Sequence, residues 1–257
     1  MDRAASRVMN CALGLLSGLP LLGPALHKLF SRLLPLRTFR VRGIAIRCAI
    51  PLHQTGTFNE AEGWSRREPE VLDWIDSFAP DSVFFDIGAN FGTETLYAAM
   101  KPGGPKRICA FDAEFIGSYN LALNLRLNGI AHVENYACAV GREDGFLTLP
   151  ENINYLWVLP AEKYGKTQKL MPVFSVDSIV RRSGIVPSHV KIDVDGPEAE
   201  IIAGMAETLR NPTMKSLMVE INSEAARESI TRALAEAGFA APLRPNPGNE
   251  NYLFRRG

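Results

Sequence analysis

The sequence has no excess of charge of either sign. Lysine and arginine together number 28, and so do aspartate and glutamate, in a chain of 257 residues. A protein that binds a polyanion through its overall charge carries a basic excess or a basic stripe. Neither is present here, and no aromatic residues accompany such a stripe to stack on bases. The composition therefore argues against a nucleic acid as partner.

Cysteine is scarce and its spacing does not suggest a disulfide framework or a metal site. The four cysteines, Cys11, Cys48, Cys109 and Cys138, lie far apart and form no C-x-x-C pair. Free cysteines inside predicted strands behave as small buried hydrophobic residues. This pattern is typical of reduced thiols in a cytosolic protein, so we expect a cytoplasmic location.

Two glycine-rich signatures of phosphate binding are also missing. The run Val83–Tyr97, VFFDIGANFGTETLY, predicts a buried strand, a glycine loop and a helix. From Asp86 to Gly92 it has D-x-G-A-N-x-G, which lacks the middle glycine of a dinucleotide site, and no G-K-[ST] follows. Since a carboxylate at the strand end would repel a pyrophosphate, the loop favours a positively charged ligand such as S-adenosylmethionine. A tight turn that serves packing alone is the alternative.

A second acidic residue points to a ligand that contains ribose. The segment Arg107–Phe111 (RICAF) predicts a strand that ends at Asp112, twenty positions after Gly92. In nucleotide-binding α/β units an acidic residue near this spacing accepts hydrogen bonds from ribose hydroxyls. Capping of the following helix is the alternative role for Asp112, and one carboxylate could serve both.

Several motifs occur in the order found in a known family. They are DIGANFG, AFDAEFIGSYNLALNLRLNG, ACAVGREDG, KIDVDGPEAEIIAGM and MVEIN, spread between about Glu68 and Asn222. The sequence thereby resembles the FkbM-type S-adenosylmethionine-dependent methyltransferases. The resemblance implies a class I methyltransferase fold, which is a Rossmann-like α/β domain with a seven-stranded, mostly parallel sheet and helices on both faces.

The resemblance also implies which residues bind the cofactor. They are Asp86, Gly88, Ala89, Asn90 and Gly92 in the loop, Asp112 at the ribose, and Ala139 and Val140 beside the adenine. The sequence departs from the family pattern at Ala113, where proline is usual, and at Asp195, where glutamate is usual. Glu68 and Glu70 match an acidic position of the family near the pocket. Favourable charge at a helix N-terminus explains these two glutamates equally well.

The segment Val190–Val194 (VKIDV) predicts a further strand and carries the candidate catalytic residue. By the same resemblance Asp193, at the end of this strand, faces the methyl group. We expect it to orient the acceptor or to remove its proton, with bonding to neighbouring backbone as the structural alternative. Asp193, Asp195 and Glu198 could instead bind Mg²⁺. The spacing supplies no fourth ligand, so we expect no metal.

The function that the resemblance implies is methyl transfer from S-adenosylmethionine to an oxygen of a small molecule, sugar or glycan. Base methylation of nucleic acid is disfavoured, because Asp193–Gly196 does not match the [DN]-P-P-[YF] motif of amino-group methylases. A non-catalytic binding module that keeps the fold is the alternative from another class. A nicotinamide oxidoreductase is more remote, because the loop lacks the middle glycine.

The first forty residues differ from the rest. Residues 1–40 are expected to form an apolar extension, and residues 41–257 the methyltransferase domain. No charge occurs between Arg7 and His27, and basic residues flank this run on both sides. Glycines and prolines interrupt it, which disfavours a single spanning helix. We expect short helices that pack on the domain or, alternatively, a peripheral membrane contact through residues 8–35.

Periodicity predicts the remaining elements. The expected elements are a strand pair over Arg40–Ile50, helices over Glu70–Phe78, Phe115–Asn128, Pro197–Leu209 and Ser223–Ala237, and a last, antiparallel strand at Tyr252–Phe254. Asp144-Gly145 is a hairpin signal. His132 and His189 are expected at the surface, and His53 in a loop ahead of the cofactor-binding half.

Overall fold

The computed structural model describes residues 36–49, 63–64, 66–149 and 169–257. The predictions made for residues 1–35, including the membrane contact, lie outside the described residues, and so does the prediction for His53. Within the described ranges, no helix combines the length and hydrophobicity needed to cross a bilayer.

A two-stranded hairpin opens the described part of the chain; the strand pair was predicted, but it begins at Leu36 and not at Arg40. Strand β1 (Leu36–Val41) pairs antiparallel with β2 (Ile44–Ala49). The two turn residues, Arg42 and Gly43, both have positive φ, of 48° and 85°. This is the backbone conformation that two-residue hairpin turns require. The guanidinium of Arg42 also binds the carboxylate of Asp73 at 2.6 Å, which ties the hairpin to the domain.

Nine further strands and seven helices follow within the described residues. The strands are β3 (Val83–Ile87), β4 (Arg107–Asp112), β5 (Val133–Ala137), β6 (Ala139–Val140), β7 (Gly145–Leu149), β8 (Lys169–Phe174), β9 (His189–Ile192), β10 (Ser216–Glu220) and β11 (Asn251–Arg255). The helices are α1 (Pro69–Asp76), α2 (Thr93–Met100), α3 (Phe115–Leu127), α4 (Val176–Ser183), α5 (Glu198–Ala203), α6 (Ala206–Arg210) and α7 (Glu224–Glu236).

The central sheet has the strand order β11-β10-β9-β3-β4-β5. All neighbouring strands are parallel except β10 and β11, which are antiparallel. Going outward from β3, the chain first builds β4 and β5 on one side and later β9 and β10 on the other. The strand order therefore reverses between β3 and β9, and open α/β sheets bind ligands at such a point.

The described sheet has six strands, one fewer than the seven expected. The segment that leads to β11 forms only isolated bridges, from Phe239 to Arg256 and from Leu243 to Leu253. It contains three prolines within Pro242–Pro247. Proline cannot donate a backbone hydrogen bond, so this segment is poorly suited to a regular strand.

Apolar cores lie on both faces of this sheet. Along β3, Phe85 and Ile87 belong to one buried cluster, while Phe84 belongs to another. Successive side chains of a strand point to opposite faces, so this division follows from the sequence order. The arrangement of helices over both faces confirms the expected α/β architecture.

The Asp144-Gly145 pair does not form the predicted hairpin. The strands on either side of it, β6 and β7, lie on opposite sides of β8 in a separate three-stranded sheet. The Asp144 carboxylate instead accepts hydrogen bonds from Ser175 N at 3.1 Å and Ser178 Oγ at 2.7 Å, at the start of α4. These contacts stabilise a helix start rather than a two-residue turn.

The helix predicted over Pro197–Leu209 is divided into α5 and α6. A Cβ atom at Gly204 would lie 2.1 Å from the carbonyl oxygen of Gly141, so the chain passes another backbone closely there. The carboxylate of Asp177 accepts hydrogen bonds from Glu207 N and Thr208 N, at 2.9 and 2.8 Å. It thereby satisfies the free N–H groups at the start of a new helix.

His132 is exposed, as expected, but the surface position predicted for His189 is wrong. The His189 ring stacks on Phe78 with centroids 3.9 Å apart and meets Trp74 edge-on. Its Nδ1 lies 2.8 Å from Ser216 Oγ. Burial lowers the pKa of His189 to about 4, with the charges of nearby basic residues adding to the effect. The ring is therefore neutral at physiological pH.

Candidate active site

The loop after β3 is held between the ends of two neighbouring strands. Gly88 has a φ of +86°, and its N–H donates to the carbonyl of Phe111 at the end of β4, at 2.9 Å. A Cβ atom at Gly88 would lie 1.8 Å from the carbonyl oxygen of Asp193, beyond the end of β9. Both the backbone angle and the close approach therefore require glycine.

The remaining residues of the loop lead directly into the N-terminus of α2. Ala89 is buried, and its N–H also donates to Phe111 O, at 3.0 Å. Asn90 has a φ of 49°, and Gly92, with a φ of 98°, is the N-cap residue of the helix. No side chain caps this helix. Its first N–H groups are therefore left to face the loop or a ligand.

Asp112, at the end of the neighbouring strand β4, is hydrogen-bonded to the backbone of the loop. Its Oδ2 accepts a hydrogen bond from Asn90 N at 2.5 Å, and its Oδ1 accepts one from Glu114 N at 2.6 Å. The second contact reaches the residue that caps α3, so the carboxylate does serve the following helix as well as the loop. Each carboxylate oxygen has two lone pairs, so the group keeps capacity for further donors.

An apolar surface adjoins the end of β4. Ala139 and Val140 form β6, and each residue is buried, with a relative exposure of 7%. Ala139 belongs to a small apolar cluster with Met171 and Val173, against which Ala113 packs. Because Ala113 directly follows Asp112, the structure brings Ala139 near the polar group expected at the ribose.

Asp86 is a carboxylate in the interior of the domain. The residue is fully buried, and its Oδ2 accepts a hydrogen bond from Thr95 Oγ1 at 2.5 Å. Among the described residues its Oδ1 has no hydrogen-bond partner. Burial raises the pKa of Asp86 to about 6, against the opposing effect of the Lys191 charge. A buried carboxylate oxygen without a hydrogen bond has a high desolvation cost. A positive charge placed nearby would reduce that cost.

Lys191 is a buried cation at the centre of a group of acids, and sequence reasoning did not identify its role. Its Nζ donates to Asp193 Oδ2 at 2.7 Å, and its side chain is only 2% exposed. Burial alone would lower its pKa, but the surrounding carboxylates hold the pKa well above its usual value. These carboxylates are Asp193, Glu94, Asp86 and Glu68. The available signal was a charged residue inside the apolar strand VKIDV.

Asp193 and Glu220 form a hydrogen-bonded pair beside this lysine. Burial would raise the pKa of Asp193, but Lys191 and Glu220 together hold it below its usual value. For Glu220, burial and the nearby Asp193 charge raise the pKa to about 8. At neutral pH Glu220 therefore carries a proton and donates a hydrogen bond to the ionised Asp193 carboxylate.

The two glutamates of the α1 start have different surroundings. Glu70 is buried and accepts hydrogen bonds from Asn249 at 2.7 Å and Asn251 at 3.0 Å, so it stabilises the packing of α1 near β11. Glu68, which directly precedes the helix, interacts with the charges of Lys191 and Asp193 instead. Only Glu68 therefore belongs to the acidic group at the strand ends.

The proposed magnesium ligands are not brought together. Asp195 is exposed in a turn with a φ of 58°, and Glu198 accepts a hydrogen bond from Gly196 N at 2.7 Å. Across the described ranges, no three His, Cys, Asp or Glu side chains are arranged to hold a metal ion. The Asp193 carboxylate instead accepts hydrogen bonds from Lys191 and Glu220.

Comparisons with known proteins agree with this geometry. The family model described as the methyltransferase FkbM domain matches residues 86–240. The crystal structure of methyltransferase FkbM from Methylobacillus flagellatus KT is similar to this chain, with a TM-score of 0.54 and 15% identity. That similarity covers 69% of this chain and 44% of the other, so this chain spans less than half the length of that protein. The structural similarity shows that this chain has a class I methyltransferase fold.

Two further solved structures are similar at lower scores. One is M. jannaschii TYW2 in complex with AdoMet, with a TM-score of 0.43 and 12% identity over 86% of this chain and 87% of that chain. The other is a ribosomal protein L11 methylase from Lactobacillus delbrueckii subsp. bulgaricus, with a TM-score of 0.45 and 13% identity over 75% and 80%. No curated protein sequence matches this chain significantly.

Proposed function

The chain belongs to the FkbM methyltransferase family, and on this basis we propose that it transfers a methyl group from S-adenosylmethionine to a hydroxyl oxygen of a small molecule, sugar or glycan. The observation that carries the proposal is the placement of the Asp86–Gly92 loop. It lies against the ends of β4 and β9, where the strand order reverses. Nucleotide-like cofactors bind in this crevice of an open α/β sheet.

The residues present fit that cofactor. Asp86 has a buried oxygen without a partner among the described residues, and a cationic ligand would offset its cost. Asp112 can accept hydrogen bonds from ribose hydroxyls while it also accepts one from Asn90 N in the loop. Ala139 and Val140 are buried apolar residues that can contact a base. When bound, S-adenosylmethionine supplies a methyl group on a positively charged sulfur.

On the acceptor side, the geometry favours Asp193 as an orienting group. Its carboxylate is held by Lys191 and by Glu220, and its backbone touches Gly88 of the cofactor loop. The same contacts hold its pKa low, which weakens Asp193 as a base. A fixed carboxylate can instead accept a hydrogen bond from the acceptor hydroxyl and align it. Alignment of this kind can supply about 7–11 kcal/mol of the barrier reduction in favourable cases.

The charges of the site favour an uncharged acceptor. Among the described residues, five carboxyl groups interact with the buried ammonium of Lys191, those of Glu68, Asp86, Glu94, Asp193 and Glu220. A phosphate or carboxylate next to them would meet like charges, which is unfavourable in a partly buried site. A hydroxyl of a sugar or other neutral polyol carries no such penalty and offers a proton for the hydrogen bond to Asp193.

Calorimetric titration of the full chain tests the proposal. S-adenosylmethionine and S-adenosylhomocysteine should bind, and NAD should not. A screen with labelled methyl donor and a pool of neutral polyols and glycans should then show transfer to oxygen. Binding without transfer to any acceptor would favour the non-catalytic module. Binding of NAD alone would favour an oxidoreductase and overturn the proposal.

A further inference from the structure

The outward-facing side of α3 is largely apolar, although helices at a protein surface usually present charged or polar residues there. The exposed residues of α3 recur at helical spacing and form one stripe, made of Phe115, Tyr119, Ala122 and Arg126. Phe115 is 63% exposed and Tyr119 is 54% exposed, and their rings stack with centroids 6.4 Å apart. Arg126 is the only charged residue of the helix. An exposed apolar stripe of this kind is typical of a docking surface.

The β1–β2 hairpin is fixed to the C-terminal half of α3. Ala49 N donates a hydrogen bond to Asn124 Oδ1 at 2.8 Å, and Arg47 N donates one to Asn128 Oδ1 at 2.9 Å. The Arg47 guanidinium also donates to the carbonyl oxygen of Leu127. Strand β2 therefore lies along the helix, and the two elements present one continuous surface.

Exposed side chains of the hairpin extend the α3 stripe. Alternation along the paired strands places Leu36, Arg40 and Arg47 on the same face of the hairpin. All three are exposed, Leu36 by 55%. Because the Arg47 side chain reaches the carbonyl of Leu127, next to Arg126, this face adjoins the end of the stripe. The three hairpin residues and the α3 stripe together form the α3–hairpin face.

The α3–hairpin face is basic, although the chain as a whole has no net charge. The segments 36–49 and 115–130 contain five arginines and no aspartate or glutamate; the arginines are Arg37, Arg40, Arg42, Arg47 and Arg126. Two carboxylates of α1 pair with Arg42 at the hairpin turn, and Glu114 lies just before α3. The two segments are far apart in the chain and meet only through the contacts of β2 with α3. An apolar stripe with arginines at its margin is typical of surfaces that bind anionic lipid headgroups.

Charge complementarity distinguishes lipid from the other candidates for this face. In a two-fold contact with a second copy, arginines would meet arginines, and neither segment has an acid to pair with them. The leucine-rich residues 1–35 join the described chain at Leu36, on this face, but Lys28 and Arg32 would add further positive charge to it as a cover. Lipid phosphates would pair with the arginines of both.

We propose that the α3–hairpin face docks the protein on an anionic lipid surface, with the two stacked rings among the headgroups and the arginines in contact with phosphates. A nucleic acid is a less suitable partner, because the rings stack on each other and the leucine and alanine side chains offer bases no stacking surface. The proposal does not depend on the proposed function, since the residues of this face lie outside the loop after β3 and the acidic group around Lys191.

Co-sedimentation of the full chain with vesicles of phosphatidylcholine and phosphatidylserine at low salt tests the proposal. The double variant Phe115→Ser/Tyr119→Ser should bind about tenfold more weakly than the wild type, because both rings lose their apolar contact with the bilayer. Leu243→Ser is the matched control and should bind like the wild type. Leu243 is 57% exposed and bridges to β11, at the opposite edge of the central sheet. Residues 1–35 are common to all variants, so their contribution cancels.

The arginine contribution has its own test. Arg126→Gln should weaken vesicle binding about fivefold at low salt, and the difference should shrink at high salt because salt screens the charges. Arg232→Gln is the control, because Arg232 is exposed on α7, whose buried residues pack on the other face of the sheet. It should leave binding unchanged.

Quenching by brominated lipid measures the contact directly. Phe115→Trp should add fluorescence that vesicles of brominated lipid quench, whereas the fluorescence that Leu243→Trp adds should be unaffected. The wild-type chain gives the background from its own tryptophans, of which Trp64 and Trp74 are buried.

Several results would overturn the inference. They are failure of the wild type to bind the vesicles, equal binding to vesicles of phosphatidylcholine alone, and wild-type binding by the double variant. A dimer in sedimentation velocity that dissociates in the double variant, without vesicle binding, would assign the face to a second copy. Binding of a single-stranded oligonucleotide that Arg126→Gln abolishes, again without vesicle binding, would assign it to nucleic acid. If circular dichroism shows that the double variant is unfolded, Tyr119→Ser alone should still weaken binding, and unchanged binding by that variant would overturn the inference.

Discussion

Gly88 and Asp193 are in direct backbone contact, so the loop after β3 and the candidate orienting residue form one structural unit. A Cβ atom on Gly88 would lie 1.8 Å from the carbonyl oxygen of Asp193. The two residues follow β3 and β9, which pair in register through Ile87 and Ile192. Any displacement of the loop should therefore affect both cofactor binding and the position of the acceptor.

Gly88→Val should disrupt cofactor binding. The new side chain would collide with the Asp193 carbonyl and would have to adopt a positive φ that a β-branched residue rarely reaches. We expect S-adenosylmethionine affinity at least tenfold weaker in calorimetry, with a lower melting temperature. Gly145→Val is the matched control, because nothing lies within 4 Å of its added Cβ. Unchanged binding by the Gly88 variant would argue against the loop as the cofactor site.

Asp112→Ala should weaken S-adenosylmethionine binding at least tenfold while the fold is retained. The change removes the acceptor for ribose and the hydrogen bond from Asn90 N that shapes the loop. A hydrogen bond to a charged group is worth roughly 1.5–3 kcal/mol. Calorimetry measures the affinity, circular dichroism checks the fold, and Asp81→Ala at an exposed position serves as control. Equal affinities for the two variants would remove Asp112 from the site.

Asp193→Asn should spare cofactor binding and lower the turnover number. The amide keeps the shape, but it no longer presents the carboxylate that Lys191 and Glu220 hold in place. Because the pKa of Asp193 is held low, its carboxylate is ionised throughout the neutral range, and the rate loss should not vary between pH 6 and 7, below the pKa of about 8 at which Glu220 loses its proton. The measurement is a pH–rate profile with an acceptor from the screen. A loss that vanishes at high pH would indicate a base, and full activity at every pH would exclude both roles.

His189 should make the domain less stable in mild acid. Its folded pKa of about 4 is below the ordinary value of 6.5, so between these limits the unfolded chain binds a proton that the folded chain does not. Stability should therefore fall as the pH drops from about 6.5 towards 4, by on the order of 3 kcal/mol. Urea unfolding at several pH values measures this slope. It should be reduced in His189→Gln and retained in His132→Gln, and equal slopes in both would refute the assignment.

The apolar residues of the N-terminal segment lead to a further proposal, that it contacts a membrane surface. Leucines are dense between Leu13 and Leu34, and arginines flank the run. The full-length chain should sediment with anionic liposomes at low salt and be partly released at high salt, because salt screens the arginine charges. A chain that begins at Leu36 should stay folded and keep its cofactor affinity. If that shortened chain unfolds, the segment belongs to the core and the membrane proposal fails.

The glycine loop after β3 could be predicted from sequence because its constraints are local. The order of apolar run, acid, glycines and helix start lies within Val83–Tyr97, and each feature has a direct backbone reason. The left-handed conformation at Gly88 and the αL cap at Gly92 are such features. The position of Asp112 at the end of β4 was predicted in the same way, from the apolar run that precedes it.

The sequence by itself determined the α/β class, the family, the glycine loop after β3 and the position of Asp193 at a strand end, since strand and helix periodicity and short motifs depend on near neighbours in the chain. Only the tertiary structure decided the acidic group around Lys191. Glu68, Asp86, Lys191 and Glu220 come from four separate segments, and parallel pairing of β3, β9 and β10 brings three of those segments side by side. Their pKa values depend on that burial and proximity, which no local pattern specifies.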